Sequence, residues 1–297
     1  MSEAVVFTEY GPPEVLHVVD LEPREPGPRE VRVRVRAAGV QPFDNLFRSG
    51  ATKGYVPAKF PQQTGNELAG VVESIGAEVT EFREGDEVLG WVALAAFAEH
   101  AIVPADQLVA KPTTMPWAEA GALSASGQTA HTALAILGVT RGETVLIHAA
   151  AGGVGSMAVQ IAVAQGAHVI GTASARNHDY LCGLRAIPVQ YGDGLLDRVP
   201  SRPDAVLDAI GTDESLRASA KLASRIGTVA FNPLAAQLGV RQLSTDRSTR
   251  RLQALVDLYE AGQLRVHVQS TYGLREAAAA HREVETGHVR GKVVLMP

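Results

Sequence analysis

One cysteine, Cys182, occurs in 297 residues. A single thiol forms no intrachain disulfide, four-cysteine zinc lobe or iron–sulfur cluster, and its scarcity points to a reducing, cytoplasmic setting. Long hydrophobic runs are missing as well. No stretch reaches the roughly 18 consecutive apolar residues that a membrane-spanning helix requires, so no membrane partner is expected. The opening residues, MSEAVVFTEYGPPE, include acids and lack the basic-then-apolar layout of a secretory signal. Basic charge is in deficit: 27 Lys and Arg against 32 Asp and Glu give a formal net charge of -5. That balance argues against a nucleic-acid partner held by bulk electrostatics. The nine histidines include no H-x-x-x-H or comparable pair, so the sequence offers no metal site.

What is present is an ordinary globular balance, 46% hydrophobic and 20% charged, in a chain long enough for two domains. The first third is β-rich. EVRVRVRAAGV alternates from Glu30 to Arg36 and puts Val31, Val33 and Val35 on one face, as in a half-buried strand. LAGVVESIG, DEVLGWV, AEHAIVP and QLVAKP follow as short β-branched runs cut by Gly, Pro and Asp, which suggests a compact barrel or sandwich. From Trp117 the texture turns helical, in WAEAGALSASGQTAHTALAILG. From Thr144 strands and helices alternate. TVLIHA leads into the helix VGSMAVQIAVAQG, with Met157, Ile161 and Val163 at apolar positions and Gly166 as a stop. HVIGTA, a polar helix over 178–185, VQY, AVLDAIG, the helix DESLRASAKLAS, GTVAFN and VRQLS continue the series. Such alternation with short connections predicts an α/β fold with a doubly wound parallel sheet. The closing GKVVLMP reads as a strand that rejoins the first domain.

Between Ala149 and Gly155 the chain must turn sharply from strand into helix. Gly152, Gly153 and Gly155 leave room for bare backbone to approach a pyrophosphate, and the N–H groups around Val154 at the helix start face its negative charge. Ala150 stands where G-x-G-x-x-G has its first glycine, and a methyl is small enough for the turn. The flanking strand and helix supply the context that a lone glycine pattern needs; a tight turn packing helix on sheet is the alternative. The second strand selects the nucleotide. HVIGTASARNHDY has no acid at the strand end, where an NAD site places Asp or Glu for the ribose 2′-hydroxyl. Ser174 and Arg176 stand there instead, and a hydroxyl with a guanidinium suits a 2′-phosphate. NADPH is therefore the expected cofactor, with Arg176 as a solvated loop charge the alternative.

AAGVQPFDNLFRSG, GNELAGVVESIGAEVTEFREGDEVLG, SGQTAHTAL, HAAAGGVGSMAVQ and GHVRGKVVL occur in that order. On these five segments the chain resembles the zinc-independent quinone oxidoreductases (ζ-crystallin-like) of the medium-chain dehydrogenases/reductases, over nearly its whole length. The resemblance implies a GroES-like catalytic domain over 1–118, rejoined by 266–297, and a Rossmann domain over 119–265, with NADPH in the cleft between them. Zinc-dependent relatives carry Cys where this chain has Gln41 and His where it has Asn66. Glu67 remains, short of the three protein ligands that a catalytic zinc needs. Metal-free hydride transfer is implied, with Glu67 a structural partner of a nearby loop.

Site roles follow from the same resemblance. Gln41 falls where relatives have Asn close to the nicotinamide; its carboxamide donates to the acceptor oxygen, holds the nicotinamide amide, or stabilises its own loop. Asp44 and Arg48 are the nearest titratable groups, and Asp44 is the candidate catalytic acid beside Gln41, with solvent as the other proton source. Thr129 matches a position near the nicotinamide or pyrophosphate, a helix-buried hydroxyl being the alternative. Tyr191 matches an adenosine-side residue at a strand end. Gly211, Phe231 and Asn232 lie just past strands, where backbone faces the nicotinamide half. Lys292 joins the cofactor contacts if the last segment folds over them, and is otherwise a solvated charge like Arg290.

The implied activity is NADPH-dependent reduction of a quinone or an α,β-unsaturated carbonyl (enone, alkenal or enoyl) acceptor. A non-redox NADP(H)-binding sensor and a biosynthetic cyclase reusing the cleft are alternatives, as is a zinc-dependent alcohol dehydrogenase. The expected partner is a small hydrophobic carbonyl or quinone. Phe43, Phe47, Tyr55, Phe60, Trp91 and Phe97 are candidate pocket walls or plain core. A homodimer or other homo-oligomer, formed through the sheet edge near VRQLS, is also implied.

Overall fold

Valine at every second position makes Glu30–Val40 an 11-residue strand in the computed structural model, which describes residues 1–22 and 24–297. Val31, Val33 and Val35 are buried while Arg34 and Arg36 face solvent. Around it the N-terminal part of the chain forms β1 (Ser2–Phe7), β2 (His17–Leu21), β3 (Glu30–Val40), helix α1 (Pro42–Ser49), β4 (Gln62–Gln63), β5 (Glu67–Ile75), β6 (Glu87–Trp91), β7 (His100–Pro104), β8 (Leu108–Ala110) and α2 (Trp117–Ala120). Proline at the first position of α1 and Gly50 in the left-handed conformation after it fix both ends of that helix.

The middle of the chain alternates helix and strand: α3 (Ser124–Leu137), β9 (Thr144–His148), α4 (Gly153–Ala164), β10 (His168–Ala173), α5 (His178–Gly183), β11 (Ile187–Gln190), α6 (Leu195–Arg198), β12 (Ala205–Asp208), α7 (Asp213–Leu222), β13 (Arg225–Thr228), α8 (Leu234–Gln237) and β14 (Arg241–Gln242). These six strands form one parallel sheet in the order β11-β10-β9-β12-β13-β14. Counted along the chain, that is strand order 3-2-1-4-5-6, the doubly wound arrangement whose ligand crevice lies beyond the carboxyl ends of the strands. Leu146, Ile170, Val206 and Ile226 on one sheet face pack with Leu195, Leu216, Leu222 and Ala235 from the helices. Residues 155–162 of α4 are all buried, which explains why that helix shows apolar side chains all round.

Helix α9 (Thr249–Glu260) precedes β15 (Val268–Tyr272), α10 (Ala277–Glu285) and β16 (Lys292–Leu295). The closing segment does rejoin the N-terminal strands: β16 pairs antiparallel with the last residues of β3. The resulting sheet has the order β15-β16-β3-β5-β6-β8, with β7 also on β3, and β1 lies between β2 and β4 in a separate three-stranded sheet. Phe7, Val33, Phe47, Leu68, Phe97, Val293 and Leu295 share its core. The chain divides into two units, one of Met1–Ala125, Ser248–Val256 and Val266–Pro297, the other of Ser126–Arg247 and Asp257–Arg265.

Candidate active site

At the end of β9 the backbone turns through Ala149, whose φ of +50° is left-handed. That turn brings the Ala149 carbonyl back to accept the Gly152 N–H at 2.9 Å and opens α4 at Gly153. A Cβ on Gly155 would lie 2.1 Å from the Ala149 oxygen, so only glycine lets the helix start pack this closely on the strand. Gly152 holds the N-cap position, and the N–H groups of Gly153, Val154 and Gly155 belong to the first turn. These first-turn donors lack intrahelical acceptors and sit at the positive end of the helix dipole. The cradle therefore fits a dinucleotide pyrophosphate, and the tight-turn reading describes the same geometry without its consequence.

Apart from Thr129, the other sequence-derived positions of this unit also follow strand ends. Ser174, half-buried, and Arg176, exposed, occupy the turn after β10. Tyr191 is 49% exposed directly after β11. Gly211 follows β12 with φ +70°, and Phe231, 76% exposed, follows β13. Asn232 is a clamp between two of these loops: its Nδ2 donates to the Gly211 carbonyl and to Asp213 Oδ1, both at 2.9 Å. Thr129, on α3, has its hydroxyl 2.8 Å from that of Thr245.

Beneath those loops lies a polar row that the sequence did not disclose. His148, Asp208 and Thr228 end β9, β12 and β13, Thr172 is the last residue but one of β10, and all four are almost completely buried. His148 and Asp208 are register partners, as are Asp208 and Thr228, and His148 Nδ1 lies 3.1 Å from Thr172 Oγ1. Burial pushes the His148 pKa down against the opposing pull of Asp208, which keeps the ring neutral. Asp208 accepts the N–H groups of Ile210 and Gly211 at 2.9 Å each and the Ser215 hydroxyl at 2.9 Å. It thereby fixes the loop expected to face the nicotinamide half. An acid closing a β-branched strand and followed by Gly three residues on was the available signal.

In the other unit, Gln41, Asp44, Glu67 and Lys292 come together. Asp44 has no accessible surface. Its carboxylate accepts the Gln41 N–H (2.8 Å), Asn66 Nδ2 (2.8 Å) and the Thr64 hydroxyl (3.3 Å). Burial pushes its pKa up to about 6 despite those hydrogen bonds. A carboxyl enclosed in this way holds the loop before α1; it is not presented as an acid to an acceptor. Gln41 Nε2 donates to Glu67 Oε1, so the amide is anchored on that carboxylate. Lys292 is not a solvated charge: its side chain is 3% exposed, and Nζ donates to Glu67 Oε1 at 2.9 Å. Gly39, inside β3, was the legible hint of this cluster, since interior strand glycines mark close approach. Arg48 is likewise buried, paired with Glu285, and Phe47 and Phe97 are core residues with no exposed surface. Tyr55 is 63% exposed.

Gln41 and Asn66 offer amides, Glu67 is occupied by Lys292, and among the described residues no three His, Cys, Asp or Glu side chains converge as a metal site. No helix of the described residues is long and apolar enough to cross a membrane.

Comparison with known proteins agrees with this architecture. Residues 27–113 match the alcohol dehydrogenase GroES-like domain, and residues 188–295 match a zinc-binding dehydrogenase domain. A quinone oxidoreductase of Pseudomonas aeruginosa is 34% identical over 328 aligned positions, covering 100% of both chains. An NADPH-dependent alkenal/one oxidoreductase of Arabidopsis thaliana is 29% identical, covering 99% of this chain and 79% of the relative. The crystal structure of Escherichia coli quinone oxidoreductase complexed with NADPH superimposes with a TM-score of 0.87 at 27% identity, covering 99% of this chain and 100% of that one. With a GroES-like barrel, a doubly wound sheet and end-to-end similarity of this degree, the chain belongs to the quinone oxidoreductase family of the medium-chain dehydrogenases/reductases.

Proposed function

We propose that this oxidoreductase uses NADPH to reduce quinones or α,β-unsaturated carbonyl compounds without a metal ion. NADPH is the cofactor: the cradle at Gly152–Gly155 accommodates its pyrophosphate, and relatives of both kinds above use or bind it. When bound, it supplies the hydride. Ser174 and Arg176 recognise its 2′-phosphate by hydrogen bonding and charge. Asp208 and Asn232 hold the Gly211 loop that faces the nicotinamide half.

The observation that carries the metal-free reading is the donor set around Gln41. A carboxamide anchored on a carboxylate, itself paired with a buried ammonium, can fix an acceptor oxygen or the nicotinamide amide but supplies no open metal coordination. Hydride delivery to an enone β-carbon leaves an enolate, and to a quinone a hydroquinone monoanion; each then needs one proton. With Asp44 enclosed, that proton comes from water. The test is oxidation of NADPH, followed by its absorbance, against a naphthoquinone, an enone and a panel of simple ketones, before and after exhaustive chelation. Turnover with quinone or enone that survives chelation is expected. Activity confined to simple ketones, or abolished by chelation and restored by zinc, overturns the reading.

A further inference from the structure

Four distant chain segments meet on one buried carboxylate. Glu67, the first residue of β5, accepts Gln41 Nε2 and Lys292 Nζ on Oε1, and the Ala125 N–H on Oε2 at 2.6 Å. Ala125 belongs to the first turn of α3, so Glu67 supplies an anion to that helix start from another strand. Side-chain exposure is 0% for Glu67 and 3% for Lys292. The space exists because residue 39 is glycine: a Cβ there would lie 2.2 Å from Glu67 Oε1 and 3.0 Å from the Gly121 carbonyl.

A carboxylate in this position depends on its cation. Removing one partner of a buried pair leaves an uncompensated charge, which is relieved by taking up a proton or by rotating toward water. Either response changes the acceptor that Gln41 Nε2 now donates to. We propose, on the reductase reading above, that Lys292 is a positioning residue of the reaction. Its ammonium holds the Glu67 carboxylate in place, and Glu67 in turn sets the orientation of the Gln41 carboxamide. Lys292 thus acts on turnover through Glu67 and Gln41, at a distance of two hydrogen bonds.

The full-length protein is tested as Lys292→Met, Gln41→Ala and the double variant. Lys111→Met serves as a control, because Lys111 is equally buried and paired with Glu87 at 2.9 Å, outside this cluster. Steady-state kinetics with a naphthoquinone, NADPH dissociation constants and thermal midpoints are recorded for each. Misplacing an orienting group typically costs up to about a hundredfold, so Lys292→Met is expected to lower kcat by about ten- to a hundredfold. The KM for NADPH should stay nearly constant, Gln41→Ala should add little in the Lys292→Met background, and Lys111→Met should keep kcat. A wild-type kcat in Lys292→Met, losses that multiply in the double variant, or an equal loss in Lys111→Met overturns the proposal. If Lys292→Met does not fold, Lys292→Met/Glu67→Gln removes both charges; the same kcat loss is expected, and wild-type kcat again overturns it. If the unmodified protein reduces no quinone or enone, the reductase reading fails separately. The coupling is then read from thermal midpoints alone, where additive shifts for Lys292 and Gln41 defeat it and non-additive shifts support it.

Discussion

Ala149 and Gly155 show how little freedom a single residue has at the cofactor turn. Ala149 accepts a left-handed φ of +50°, which costs an L-residue about 1 kcal/mol, because the turn into α4 leaves no other path. Gly155 permits that turn by having no side chain. In Gly155→Ala the new methyl would lie 2.1 Å from the Ala149 oxygen and 2.8 Å from Ala150 Cα, both backbone atoms that cannot rotate away. Overpacking against fixed backbone destabilises by about 3 kcal/mol. Urea denaturation should show that loss together with failure of NADPH binding; a variant that keeps both properties contradicts the packing described. Asp44 is constrained electrostatically. Its folded pKa of about 6 exceeds the ordinary 3.8, so the folded state binds the proton more tightly and gains stability as pH falls through 6. Asp44→Asn lacks this gain. Relative to the unmodified protein, the variant should lose about 2 kcal/mol more at pH 4.5 than at pH 7, read as the difference in denaturation free energy. An equal deficit at both pH values would mean that Asp44 titrates normally.

Among the elements, the strand ends of the parallel sheet carry the proposed cofactor contacts, each through its following turn. On the proposed reading, the turn after β10 distinguishes phosphorylated from plain ribose, with Ser174 and Arg176 two residues apart. Charge-assisted hydrogen bonds to a phosphate contribute about 1.5–3 kcal/mol. Arg176→Ala should therefore weaken NADPH binding by about ten- to a hundredfold and leave NADH binding within about twofold. Isothermal titration with both nucleotides checks this, and equal losses for the two would assign Arg176 no part in the preference. These strand-end positions were legible because β9, β10 and β12 are short apolar runs that stop at polar or small residues. The same local patterns gave no sight of the row formed by Thr172, His148, Asp208 and Thr228. Each of these looks like an ordinary residue at or next to a strand end, and only lateral pairing of strands far apart in sequence makes them one buried layer.

Across the whole molecule, what escaped sequence reading was the consequence of chain return. The final strand was recognisable from GKVVLMP, but Lys292 meets Glu67 across 225 residues, and no periodicity records such a contact. The return also seats α10 against α1, where His281 is fully enclosed beside Phe97 and near Arg48. Burial, with repulsion from Arg48, depresses the His281 pKa to about 3 from an ordinary 6.5. Among the described residues, neither ring nitrogen has a hydrogen-bond partner. The unfolded chain therefore binds a proton below pH 6.5 that the folded chain refuses, and stability falls as pH falls through that window toward 3. By pH 5 the loss from this one ring is about 2 kcal/mol, against a gain of about 1 kcal/mol from Asp44, so the histidine prevails. In His281→Leu the acid-labile group is gone while an apolar side chain still fills the site against Phe97. Between pH 8 and pH 5 the variant should lose about 2 kcal/mol less than the unmodified protein, measured as the shift in urea midpoint at each pH. Parallel stability curves for the two proteins would show that His281 takes up its proton in the folded state and that α10 does not exclude water from it.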